Sequence, residues 1–286
     1  MKKTEWDIEI ASETSWFSFK LNEIWRYRDL VALLVKRDYI AKYKQTILGP
    51  LWHIIQPLLT TAMSFLLFNV VANIDTEGKN AILFQLAGIT IWSYFATCLT
   101  STANTFIANA GIFGKVYFPR MVMPVSVVIS SFLQMAIQFV VLIAAIIVNI
   151  FINTEYHLSW NILLLPIVVT IMALLALGLG IIVSSLTTKY RDLAVLVTFG
   201  VQLLMFASAV NYPISTIANR LGTDSMIYKL VAYNPLSILV DTFRNIMLGG
   251  PIQYGMLAYT AGITVVVLMF GIMLFNKVEK SFMDTV

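Results

Sequence analysis

The residues able to carry out bond chemistry are few in this sequence and lie far apart. There are two histidines, His53 and His157, one cysteine, Cys98, and 15 aspartate and glutamate side chains among 286 residues. No H-E-x-x-H or C-x-x-C string occurs, and no His, Asp and Glu residues are spaced to ligate a metal. The acyl-transfer elbow G-x-S-x-G is absent as well. A phosphate-cradling loop needs G-x-x-x-x-G-K-[ST]. The nearest string, Gly111-Ile-Phe-Gly114-Lys115, has the wrong spacing and no hydroxyl residue after the lysine. Cys98 is alone and forms no internal disulfide, and His53 reads as an interfacial residue at the start of an apolar run. No metal or cofactor is expected in this chain, and energy for any active transport has to come from another subunit.

Chemistry of another kind is suggested by uncharged polar residues set inside apolar runs. Thr90, Ser93, Thr97, Ser101 and Asn104 fall within an arc of about 80° at ~100° per residue, with Tyr94 on one flank. Ser126, Ser130, Gln134 and Gln138 share one face of the next run, while Thr198 pairs with Gln202 and Gln56 with Thr60. One reading is that these residues hydrogen-bond helices to each other. The other is that some line a hydrated path for a hydroxyl-rich substrate, with Thr90, Ser93, Tyr94, Thr97, Ser101, Asn104, Ser130, Gln134 and Gln138 as channel-lining candidates. No Asp, Glu, Lys or Arg interrupts the apolar runs. Ion-coupled carriers usually place an ionisable group there, so that class is disfavoured, although backbone carbonyls can bind sodium.

The elements that must position these residues are membrane helices. Hydrophobic residues make up 59% and charged residues 12% of the chain, and the mean hydropathy is +0.82. A crossing helix needs about 20 apolar residues. The long charge-free runs predict an all-α integral membrane protein with six spans, at about 51–73, 82–108, 122–150, 161–186, 193–212 and 253–275. With the N-terminus inside, 15 of the 19 Lys and Arg lie on the cytoplasmic side and only Lys79, Arg220, Lys229 and Arg244 lie outside. That distribution puts both termini in the cytoplasm and explains the net charge of +4 without nucleic acid. The first fifty residues hold no apolar h-region after their basic start, so no cleaved signal peptide is expected.

Residues 1–50 are expected to be a cytoplasmic region ending at Gly49-Pro50, with a surface-lying interface helix over Trp25–Lys44. Residues 51–276 hold the spans, and 277–286 form a cytoplasmic tail. The outer region 213–252 contains Asn234-Pro235, an N-cap followed by proline at the first helical position. Leu236, Leu239, Val240, Phe243 and Met247 follow at helical spacing, and Gly249-Gly250 stops the pattern. This helix is too short to cross and reads as re-entrant. Asp241 and Arg244, one turn apart, are expected to form a weak exposed pair on its polar face.

Several strings resemble one family. Tyr27-Arg28-Asp29-Leu30, Lys36-Arg37-Asp38, Tyr43-Lys44-Gln45-Thr46-x-Leu48-Gly49-Pro50-Leu51-Trp52 and Gln56-Pro57 come first. Lys115-Val116-Tyr117-Phe118-Pro119-Arg120 with Pro124, then Tyr190-Arg191-Asp192 and Asn234-Pro235, follow in order. Together they resemble the membrane subunit of type-2 ABC permeases that export O-antigen, capsule or teichoic-acid chains. The resemblance implies a bacterial inner-membrane homodimer bound to two copies of a separate ABC ATPase, which holds ATP and Mg. It implies a lipid-linked polysaccharide substrate passing along the dimer interface. It makes Lys115, Tyr117, Phe118, Pro119 and Arg120 a coupling turn on the ATPase, joined by Arg37 and Asp38 of the interface helix. It makes the short helices before the last span an outer gate, with Asn234, Pro235, Asp241, Phe243 and Arg244 as its candidates.

Two other readings stand beside this one. A permease of the same fold could export a drug or small lipid, against which the N-terminal strings speak. A membrane-embedded transferase on lipid-linked sugars would need a catalytic group among Asp75, Glu77, Glu155, His157, Asp224 and Asp241, none of which cluster in sequence.

Overall fold

The computed structural model describes residues 21–44, 46–113, 118–152, 160–187 and 192–279. Every regular element among them is helical. Helices α1 (Leu21–Arg26) and α2 (Arg28–Tyr43) lead to a 3-10 turn at Gly49–Leu51 and the first long helix, α3 (Trp52–Ser64). Pro57 lies inside α3, and a π-helical stretch, Phe65–Val71, continues it. A proline removes one rung of the backbone ladder and π turns widen it, so this first span is irregular from two local causes.

Asn80 caps α4 (Ala81–Ala103), its side chain accepting from the Ile82 and Leu83 amides at 3.0 and 3.3 Å. The chain breaks at Asn104, and α5 (Thr105–Phe113) follows; α6 (Val122–Ile152) is the longest helix at 31 residues. At 1.5 Å per residue α6 spans ~46 Å and outreaches a ~30 Å hydrocarbon core. Next come α7 (Leu165–Thr187), entered through a 3-10 turn at Trp160–Leu164, and α8 (Leu193–Ala207). Three short helices, α9 (Ile214–Leu221), α10 (Met226–Ala232) and α11 (Pro235–Leu248), precede α12 (Tyr254–Glu279).

Among the described residues five stretches are long and apolar enough to cross a membrane: Gly49–Val71, Ala81–Ala103, Val122–Ile152, Trp160–Thr187 and Tyr254–Lys277. The segment expected as the fifth of six spans differs, because its helix, α8, stops after 15 residues. That is ~22 Å of helix, short of the hydrocarbon thickness. The physical reason for the early stop lies in what the following backbone bonds to.

Helix α4 is the hub. Of its apolar stretch 78% is buried, against 17% of the first span. It packs against α3, α6, α7, α8 and α11, and Ala87, Ile91, Phe95 and Cys98 are enclosed completely. Helices α7 and α12 form the closest pair, meeting at Gly178 and Gly271. Their outward surfaces and those of α3, α6 and α8 carry exposed Leu, Ile, Val and Phe, as expected of helices bathed in lipid.

Candidate functional site

At one end of the bundle the N-terminal helix and the turn before α6 form one small core. Val31 and Leu34 of α2 pack on Phe118, Val122 and Met123, with Ile112 of α5 against the cluster. Arg37 turns the other way: its guanidinium meets the Asp38 carboxylate at 2.7 Å and donates to Asn109 Oδ1 on α5 at 3.2 Å. The carbonyls of Pro119 and Arg120 then accept from Val122 and Met123, carrying the turn into α6. Phe118 is buried, and Pro119 and Arg120 are half-buried. Lys115 and Tyr117 lie outside the described residues, as do Tyr190 and Arg191. The turn therefore shares apolar contacts with α2 and α6, while the Arg37–Asn109 bond ties α2 to α5. Asn109, one helical turn beyond Thr105, carried no signal of that bond in the local pattern.

Through the middle of the bundle the polar residues of α4 divide. Thr90 is fully enclosed and its hydroxyl donates to Leu86 O at 2.8 Å. Tyr94 is buried too, its ring edge-on to Phe132 of α6 at 6.3 Å. Ser93, Thr97, Ser101 and Asn104 stay half-buried along the same side, with the Asn104 amide donating to Thr100 O at 3.0 Å. On α6, Ser130, Gln134 and Gln138 are turned inward, and Gln138 Oε1 has no hydrogen-bond partner among the described residues. Hydroxyls that bond to their own helix add polarity to a surface without demanding a partner across it.

The opposite end of the bundle is organised by Arg244. This residue of α11 is fully buried rather than exposed. Its Nη2 donates to Val210 O at 2.6 Å and its Nε to Phe84 O at 3.2 Å, with a longer contact from both Nη atoms to Ala209 O at 3.5 Å. The guanidinium carbon also stands 3.6 Å over the Phe84 ring, an arrangement favourable to a cation. Gly88 makes room for it, since a Cβ there would collide with Arg244 Nη2 and stand 2.7 Å from Val210 O.

These carbonyls explain why α8 ends early. Ser208, Ala209, Val210 and Asn211 are all buried, and Ala209 takes φ 50°. Non-helical backbone at membrane depth persists only where protein satisfies it. Here Arg244 takes two carbonyls, Gln85 Nε2 donates to Asn211 O at 3.0 Å, and Asn234 Nδ2 donates to Ala207 O at 3.1 Å. Asn234 also caps α11 through Leu236 N, and Gly249 closes that helix in the left-handed region at φ 76°. Asn234 thus does two jobs, and Pro235 and Phe243 seat α11 against the core.

Asp241 does not pair with Arg244; it accepts from Asn245 Nδ2 at 3.0 Å. Asn245 Oδ1 accepts from Lys79 at 2.6 Å, Lys79 lies 3.7 Å from Glu77, and Ser215 on α9 donates to Glu77 at 2.6 Å. Burial lowers the Arg244 pKa to about 10, countered by the carboxylates of Asp241 and Glu77, so the guanidinium keeps its charge at neutral pH. Burial pushes the Asp241 carboxyl up, while Arg244 and Lys79 oppose the rise. Ser215, Gly88 and Phe84 were not singled out from sequence, and Lys79 and Glu77 were named there only for their charge and not for this network; all five come from segments 29 to 167 positions away from Arg244.

Among the described residues no three His, Cys, Asp or Glu could hold a metal ion. The arrangement is a helical bundle with a tied turn at one end, polar faces within, and a charge-pinned short helix at the other. Residues 29–248 match the family described as ABC-2 type transporter. The chain is 27% identical over 257 residues to the O-antigen export system permease protein RfbA of Klebsiella pneumoniae, covering 90% of this chain and 94% of that one. A Myxococcus xanthus protein of the same name is 28% identical over 79% of this chain and 83% of its own length. The polysialic acid transport protein KpsM of Escherichia coli is 22% identical, with 89% and 95% covered.

Proposed function

Since this chain belongs to the ABC-2 type transporter family, we propose that it is the membrane subunit of an ATP-driven exporter of a lipid-linked, O-antigen-like polysaccharide. The observation that carries this reading is its end-to-end similarity to permeases named for O-antigen and polysialic acid. The subunit works in the bacterial inner membrane as a homodimer, with two copies of a separate ATPase that bind ATP and Mg. Its topology has six crossings and cytoplasmic termini. The fifth crossing is α8, ~22 Å of helix, completed by the bonded, non-helical stretch 208–211. Helices α1 and α2 lie along the cytoplasmic interface, and α9 to α11 form the outer gate.

Within that frame, the half-buried Ser93, Thr97, Ser101 and Asn104 on the α4 side supply the polar lining, while Ser130, Gln134 and Gln138, like Thr90 and Tyr94, are enclosed within the bundle. Uncharged hydroxyl and amide groups solvate sugar hydroxyls without holding them at a single point. The turn Phe118–Arg120 receives the ATPase's movement and passes it to α2 and α6, with which it shares a core. The test is ATP-dependent glycan translocation in vesicles carrying the permease with its ATPase; absence of glycan translocation there rejects the function.

The same preparation tests the coupling turn. Arg120→Glu reverses a half-buried charge at the proposed docking surface. The expected outcome is ATP hydrolysis that continues while glycan export falls about tenfold or more, the equivalent of ~1.4 kcal/mol of lost coupling. Export that stays in proportion to hydrolysis in this variant assigns Arg120 no part in coupling.

A further inference from the structure

A cleft of about 700 Å³ opens between α1–α2 and the cytoplasmic half of α6. Its floor is aliphatic: Val31, Ala32 and Val35 on one wall, Val125, Ile129 and Leu133 on the other. Among the described residues the two charged ones lining it are Arg28 and Lys36, both basic and both exposed, and none is acidic. Trp25 and Tyr39 stand near its two ends along the N-terminal helices.

We propose that this cleft binds an anionic phospholipid of the inner leaflet, its acyl chain along α6 and its phosphate between Arg28 and Lys36. The volume falls within the range of ligand pockets, ~300–1,000 Å³. Val125, Ile129 and Leu133 are spaced four residues apart and form a continuous apolar ridge ~12 Å long, suited to an extended chain. Arg28 and Lys36 lie eight residues apart on α2, also ~12 Å, and their long stems let both heads converge on one phosphate. Neither is committed inward. Arg28 has only its neighbour Asp29 at 4.0 Å, whereas Arg37, on the opposite side of the helix, is held by Asp38 and Asn109. A zwitterionic lipid would bring its own cation to this edge, so charge complementarity selects the anionic class.

The leaflet assignment rests on the topology proposed above, but the binding itself can be read without transport. The experiment reconstitutes the full permease with its ATPase into nanodiscs of phosphatidylcholine holding a minor fraction of phosphatidylglycerol. Retained lipid is counted by native mass spectrometry. The expected result is about one phosphatidylglycerol per chain that survives delipidation. Retention should fall roughly tenfold or more in R28Q/K36Q, from the loss of two surface-lipid attractions. It should fall similarly in Ala32→Trp, which fills the cleft from an exposed position. Equal retention of phosphatidylcholine and phosphatidylglycerol overturns the proposal, as does unchanged retention in both variants. A photocrosslinker placed at position 32 that captures polypeptide instead of lipid also overturns it. Failed export with normal, variant-sensitive retention would reject the transport reading and leave this site standing.

Discussion

Arg244→Met is expected to leave less than about a tenth of the folded, detergent-extractable protein obtained from the unaltered chain. Methionine matches the length of the arginine stem and removes only the guanidinium, so the result isolates the head group. Without it the carbonyls of Ala209 and Val210 lose their side-chain donor inside a bundle where water does not replace it, and Phe84 O keeps only the amide of its own helix. An orphaned buried polar group costs roughly 1–3 kcal/mol, and removing one member of a buried charge arrangement costs about 3–5 kcal/mol. Asp241 and Glu77 would also lose the cation that offsets their charge. Arg244→Lys should fall between the two. Lysine keeps the charge, but a single ammonium cannot fork between Phe84 O and Val210 O as a planar guanidinium does. Size-exclusion profiles after a heating series would rank the three proteins. A methionine variant that melts with the unaltered chain would show that the non-helical stretch 208–211 holds itself.

The same bonds limit how the outer side can move. Through Arg244 and Asn234, α11 is fastened to α4 and to the end of α8. Opening that spares these bonds has to come from α9 and α10, whose residues are mostly half-buried or exposed and which join the rest through the Ser215–Glu77 contact. If α9 to α11 form the proposed gate, the pinned α11 would be its fixed post and the more exposed α9 and α10 its moving part.

How far this architecture was legible varies with the range of the interactions. Helix α11 could be read closely, from Asn234-Pro235 to Gly249, because caps and stops act within a few residues. The long spans could also be read, since each follows from a run of apolar residues. The end of α8 could not. Hydropathy sees Ala207 to Asn211 as apolar enough to continue a span, whereas the backbone there bonds to groups 27 to 126 positions away. Arg244 was misplaced for a related reason. A helical wheel assigns a charged residue to the solvent face unless its partners are visible, and these partners are backbone carbonyls, which every residue has. The α4 stripe shows the same boundary: spacing put Thr90 to Asn104 on one arc, but α4 ends at Ala103, and which of these residues are enclosed depends on five neighbouring helices.

The seam between α7 and α12 leads to the second large effect. Gly178 stands so close to α12 that a Cβ there would lie 3.0 Å from Leu268 Cα and 3.1 Å from Leu268 N. Across the seam, a Cβ on Gly271 would lie 2.8 Å from Gly178 O. The opposing atoms are backbone, so no rotamer change relieves the clash and the helices must separate. In a membrane, helix association draws on close packing rather than on expulsion of water, which makes small residues at a seam decisive. Gly178→Leu should therefore cost more than the ~1–3 kcal/mol of ordinary overpacking and give little stable protein. Gly262→Leu on α12 is the control, because nothing stands within 4 Å of its Cβ position, and it should leave the heating profile unchanged. If both leucine variants behaved alike, the two helices would not approach as closely as Gly178 and Gly271 permit, and the pairing of the last span with the bundle would have to rest on the Phe106–Phe275 contact at 5.3 Å instead.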